Sequence, residues 1–215
     1  MNSQRYYSFL DRLCLGFDQA VRALTDTVKT TGADYPGKEL PEPSLSDNER
    51  RHAAALMRIN HAGEICAQAL YHGQGVVSRS QEVQEKMHLA ATEEGDHLAW
   101  CKQRLDELGS HPSYLNPVWY LGSFCIGMTA GMVGDKWSLG FVAETERQVI
   151  RHLEGHLNAL PSKDQRSYVI LQQMEADEAR HRDEAVALGA RDLPGPVRHI
   201  MALTSKIMVK TAFWI

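Results

Sequence analysis

Apolar residues return every three or four positions along most of the chain, and no stretch alternates with the period of two that a half-buried strand needs. Helices are therefore expected nearly throughout. The first spans about residues 4–28, with Phe9, Leu13, Phe17, Val21 and Leu24 along one stripe. A loop rich in Gly and Pro follows, from Gly32 to Pro43. Ser46 and Glu49 stand at capping-box spacing and open a long helix that runs to about Tyr71, where Gly73 and Gly75 break it. The next helix covers about 80–108 and stops at Gly109. After it comes 112–134, a stretch without Asp, Glu, Lys, Arg or His. Two more helices are expected, over 136–160 ending at Pro161 and over 162–188 ending at Gly189, the latter opened by Ser162 and Gln165. The four long helices pair as two hairpins with short turns, joined by a crossover of about 27 residues.

This connectivity is that of an all-α, ferritin-like four-helix bundle with one long crossover, plus additional membrane-facing helices. The 215 residues are enough for one large domain and short for two. The division is an N-terminal helix and loop (1–45), a four-helix core (46–189) containing the apolar crossover, and a C-terminal amphipathic helix (194–215). The crossover carries Trp119, Leu121, Phe124, Ile126 and Met128, but four glycines make it a weak spanning helix. It is expected to pack on the domain or dip into one leaflet. In the last helix Val197, Ile200, Met201, Ile207 and Met208 recur at helical spacing, with Lys206 and Lys210 between them, as on a helix lying at a membrane surface.

Charge and cysteine content narrow the classes. A net charge of -4 argues against a nucleic-acid partner. Cys14, Cys66, Cys101 and Cys125 are far apart, without a CxxC, so a disulfide scaffold and a zinc ribbon are poor readings. Reduced thiols serving as small core residues in a cytosolic setting fit better. Acids and bases are mixed through the first 30 residues, so neither a secretory signal nor a transit peptide is expected.

Candidate chemistry comes from acids that interrupt apolar faces, because a carboxylate inside a bundle must be paired or bound to metal. Glu146 stands in a stripe with Leu139, Val142, Val149, Ile150 and Leu153, whereas Glu144, about 200° round the helix, is expected in solvent. ExxH places a carboxylate and an imidazole on one face, one turn apart, so that both can bind one ion. Chance gives about 0.7 matches for 15 Glu and 10 His, and the chain has four. Glu49/His52 is explained by the cap. Glu85/His88 shares its face with Thr92, Asp96 and Gln103 and is expected outward. Glu94/His97 follows Met87, Leu98, Cys101 and Leu105, and Glu178/His181 follows Leu171, Met174 and Ala185, so both are expected inward. Glu64 precedes Glu94 by 30 residues and Glu146 precedes Glu178 by 32. Each half is thus a helix with one inward Glu, a turn, and a helix with ExxH. Two such hairpins bring four carboxylates and two imidazoles to the bundle centre, the ligand set of di-iron or di-manganese carboxylate proteins. Glu94 and Glu178 are expected to bridge the ions, with Glu64 and Glu146 terminal. Two iron ions per subunit would together give O2 two electrons. Tyr71, His152 and His156 are candidates for supporting hydrogen bonds.

The runs LMRINHAGEICAQALYHGQ, EEGDHLAWCKQRLDELGSHPSYLNPVWY, LGFVAETERQVIRHL and MEADEARHRDEA resemble the bacterial demethoxyubiquinone hydroxylase family across about residues 50–215. The resemblance implies that Glu64, Glu94, His97, Glu146, Glu178 and His181 hold the two irons and carry the catalysis. It implies a monooxygenase that hydroxylates the ring of 2-polyprenyl-3-methyl-6-methoxy-1,4-benzoquinol in ubiquinone biosynthesis with O2, with NADH as electron source. It further implies a peripheral protein on the cytoplasmic face of the bacterial inner membrane. Competing readings are a ferritin-like iron-storage or ferroxidase protein, a tRNA-modifying di-iron hydroxylase, and a metal-free bundle that associates with the membrane.

Overall fold

The computed structural model describes residues 9–25 and 27–215. Residues 4–8 of the expected first helix, and the side chains of Phe9 and Leu13, lie outside the described residues. Seven helices are present among the described residues: α1 (Phe9–Leu24), α2 (Asp47–Val77), α3 (Gln81–Glu107), α4 (Asn116–Val133), α5 (Asp135–Ala159), α6 (Gln165–Ala187) and α7 (Gly195–Ala212). No strand occurs among the described residues.

The first hairpin is α2 against α3, the second α5 against α6, and α3 meets α6 while α2 meets α5 across the bundle. Leu105, Leu153, Ile170, Leu171 and Met174 fill one end of the core, and Met87, Leu139, Val142 and Ala185 the other. The capping box at Ser46 and Glu49 is complete in both directions. The cap of α6 is Asp164 rather than Ser162: its carboxylate accepts from the Ser167 amide at 3.1 Å. The same carboxylate pairs with the buried Arg104, which also binds Glu42 and Glu107 and so ties the loop before α2 to the ends of α3 and α6.

Helix α2 does not end at Tyr71. It runs through Gly73 and Gly75 to Val77. At Gly73 the glycine serves close packing, since a Cβ there would collide with the backbone of Phe124 and Met128 on α4. Gly127 of α4 lies equally close to the backbone of Leu70. The apolar crossover is therefore a helix pressed backbone to backbone on α2, and among the described residues no helix is long and apolar enough to cross a membrane. Helices α1, α4 and α7 all pack on α2 and leave much of their apolar surface uncovered. Phe17 is 72% exposed, Leu121 65%, Ile200 63% and Trp214 76%. In α1 it is Gly16, Ala20 and Ala23 that face the bundle, and the expected stripe of Phe17, Val21 and Leu24 faces out.

Two further expectations fail for reasons of tertiary cover. Glu144 is buried, paired with Arg147 and accepting from Gln148 at 2.9 Å, because the start of α7 lies over it. Asp96 is buried because the loop before α2 crosses α3 there, and it accepts from the amides of Thr31 at 3.1 Å and Gly32 at 3.3 Å. Of the four free cysteines only Cys101 is a buried core residue, Cys66 is half-buried, and Cys14 and Cys125 are exposed.

Gly127→Ala is expected to lower stability by about 1–3 kcal/mol through overpacking at the α2–α4 crossing. Gly122→Ala, where a Cβ meets nothing within 4 Å, is expected to raise it by up to about 1 kcal/mol. Chemical denaturation of the two variants beside the parent chain measures both.

Candidate metal centre

Residues three, four and seven apart on a helix share a face, and that spacing carries four acids into this core. Glu64 comes from α2, Glu94 and His97 from α3, Glu146 from α5, and Glu178 and His181 from α6, and all six are buried. Glu85 and His88 are exposed, as their face predicts. One ligand atom from each of Glu64, Glu94, His97 and Glu178 falls within 4.8 Å of all the others, a group that could hold a metal ion.

The contacts are nearly two-fold. His97 Nδ1 lies 3.1 Å from Glu94 and 3.3 Å from Glu178; His181 Nδ1 lies 3.1 Å from Glu94 and 3.3 Å from Glu178. Glu94 and Glu178 thus touch both imidazoles, as bridging carboxylates would. Glu64 reaches His97 alone among the imidazoles, at 3.7 Å. Glu146 lies beside Glu178, and the Tyr71 hydroxyl donates to its Oε1 while its Oε2 has no partner. Of the other two candidates, His156 sits 2.8 Å from Asn60, and His152 is half-buried on α5 near Arg151.

Two functional residues are absent from the sequence reading. His97 Nε2 lies 3.2 Å from Asp177, and His181 Nε2 lies 2.5 Å from Glu93. Each is the acid immediately before an ExxH, and each reaches the imidazole of the opposite helix. Arg180 joins them, 3.2 Å from each. An acceptor on Nε2 fixes that proton there and leaves the Nδ1 lone pair facing the cluster, the tautomer a metal ligand needs. The repeated acid in EEGDH and DEARH was the available signal.

Burial pushes Glu64 and Glu146 well above the ordinary carboxylate range, and the neighbouring charges of Glu94 and Glu178 push in the same direction. Burial also raises Glu94 and Glu178, but hydrogen bonds with His181 and His97 outweigh it and hold both below their usual value. Burial opposes charge on the imidazoles, yet the acids around them prevail and raise both, His181 to about 12. In the bare chain, then, Glu64, Glu146 and both imidazoles hold protons more tightly than the free groups. Two divalent cations against four ionised carboxylates would balance the charge without those protons. Carboxylate oxygens with one imidazole per ion suit iron or manganese, whereas zinc favours tetrahedral Cys and His sets. Glu64, Glu94, His97 and Glu178 fit such an ion.

A family model described as "Ubiquinone biosynthesis protein COQ7" matches residues 51–212. The 3-demethoxyubiquinol 3-hydroxylase of Nitrosospira multiformis is 52% identical over 206 residues, 96% of this chain and 99% of that one. The protein of the same name from Acinetobacter baylyi is 51% identical over 211 residues, 98% of this chain and 100% of that one. Among solved structures, the dodecameric thioferritin from Bacteroides fragilis, a bacterioferritin-related protein, aligns with a TM-score of 0.55 at 18% identity over 64% of this chain and 84% of that one. That likeness establishes the all-α ferritin-like fold.

Asp177→Asn and Glu93→Gln are each expected to weaken metal binding about 10–100-fold while leaving the helical fold intact. Competition with a chelator, read beside circular dichroism, measures both quantities.

Proposed function

The chain belongs to the family of the ubiquinone biosynthesis protein COQ7, and we propose that a pair of iron ions, held by Glu64, Glu94, His97, Glu146, Glu178 and His181, supplies its hydroxylase chemistry. The chain is an enzyme of ubiquinone biosynthesis, a hydroxylase acting on demethoxyubiquinol. The observation that supports the metal reading is the burial of four acids and two imidazoles in one core, with both Nδ1 atoms turned inward.

The reaction replaces one ring hydrogen of the quinol by hydroxyl. One atom of O2 enters the ring, the other leaves as water, and two electrons and two protons come from a reductant. A reduced iron pair supplies O2 with electrons when bound. The chain's own residues do the rest. Glu94 and Glu178 reach both imidazoles and set the spacing of the site. Asp177 and Glu93 fix the imidazole tautomers. Tyr71 holds Glu146 at one oxygen. Leu98, Leu139 and Met174, all buried, keep bulk water from the surrounding core.

The substrate's polyprenyl tail belongs in a bilayer, and the uncovered apolar residues of α1, α4 and α7 support docking on one. These helices share one support, α2, and the exposed Lys206 and Lys210 flank the apolar side of α7, as on a helix lying among anionic headgroups. The cytoplasmic face of the inner membrane and NADH as reductant complete the reading. Storage of iron and modification of tRNA are disfavoured, since near-full-length relatives at about half identity bear the hydroxylase name.

The test is reconstitution with Fe(II) under argon, addition of a short-tailed demethoxyubiquinol and a reductant, then O2. A product heavier by one oxygen atom is expected by mass spectrometry, with Glu178→Ala losing both iron and product. Full hydroxylation by Glu178→Ala, or no iron uptake by the parent chain, would overturn the proposal.

A further inference from the structure

Along α2, Gln68 follows Glu64 by four residues and Tyr71 follows Gln68 by three, so the three form a polar stripe that runs from Glu64 to the partner of Glu146. Gln68 is buried, and its Nε2 has no hydrogen-bond partner. Such a donor is costly to bury unless something accepts from it. Gln68 and Tyr71 line the same half-open cavity, about 770 Å³, between α1, α2 and α3, whose lining also carries Asp18, Arg22, Lys29, Arg79, Glu85 and His88. That volume lies within the range of small-molecule sites. Met87 and Ala91 of α3 and Leu15 of α1 add apolar surface to its lining. Leu15 is itself half-exposed, on the helix whose Phe17 and Val21 are uncovered.

From the orphaned amide and the cavity it faces, we propose that the quinol ring binds here and that Gln68 Nε2 donates a hydrogen bond to one of its oxygens, making Gln68 a positioning and specificity residue. The proposal rests on the hydroxylase reading above and adds the place where the ring is held. Three features define the fit. The ring offers oxygens as acceptors and an apolar face, matching one buried donor and the apolar surface that Met87 and Ala91 contribute to a largely polar lining. Tyr71, already committed to Glu146, joins the cavity to the ligands, so a ring held at Gln68 lies on the side of the centre that Tyr71 borders. The prenyl tail has a way out past Leu15 toward the uncovered face of α1, so the head can enter while the tail stays in lipid.

The test uses the iron-loaded full-length protein and two variants, Gln68→Met and Gln68→Leu, which keep roughly the same side-chain volume but carry no donor. Binding of the oxidised, short-tailed demethoxyubiquinone is followed under argon by tryptophan fluorescence, where no turnover occurs. Both variants are expected to bind about tenfold more weakly, the equivalent of one lost hydrogen bond. In turnover the effect should fall on KM more than on kcat. Iron content should stay at the parent level, and Gln68→Met should melt no earlier than the parent chain, because it removes an unpaired buried donor. Quinone binding by both variants as tight as that of the parent overturns the proposal, and so does early melting of Gln68→Met with loss of iron, which would mark Gln68 as a structural residue. A parent chain that binds and hydroxylates no quinol overturns the hydroxylase reading itself, a result separate from a parent that works and variants that work equally well.

Discussion

Four carboxylates in one dry core repel each other and resist losing water, and this is the constraint around which the molecule is arranged. Only positive charge in their midst lets them coexist. The chain by itself meets the need with protons, through acids raised by burial and imidazoles raised by the acids. A pair of divalent cations would match the four charges and use the oxygen-rich donor set the residues provide.

The bundle presents this set through repetition. Each hairpin contributes one Glu from its first helix and an ExxH from its second, so neither half contains a complete site. The acids that orient the imidazoles cross between halves, Asp177 to His97 and Glu93 to His181, with Arg180 bonded to both. Helix α2 has a second task. One side faces the cluster, and the other supports α1, α4 and α7, which carry exposed apolar residues such as Phe17, Leu121 and Ile200. Its small residues permit that load: Gly73 meets α4 where any side chain would collide with backbone. The cavity between α1, α2 and α3 lies between these two sides of the same helix.

The sequence made the cluster legible because helical spacing and apolar context are local. Glu94 and Glu178 interrupt stripes that no solvated face would carry, and Glu85 with His88 fails the same criterion and is exposed. What escaped depends on neighbours distant in the chain. Glu144 is polar-faced on α5 and becomes buried only because α7 returns over it. Asp96 is covered by a loop from 65 residues upstream. Gly73 and Gly75 read as breakers, since a helix crossing at backbone contact leaves no mark on the helix it crosses beyond the glycines themselves. The exposed apolar stripe of α1 read like any core-facing stripe, because amphipathicity does not say which apolar medium lies beside it.

The central claim is that one pair of ions sits among these six side chains. Mössbauer and electron paramagnetic resonance spectra of protein reconstituted with isotopically enriched iron and then oxidised address it most directly. The account predicts two irons per chain in a single spin-coupled diferric centre, silent in resonance. An isolated ferric signal, or one iron per chain at saturation, would contradict it.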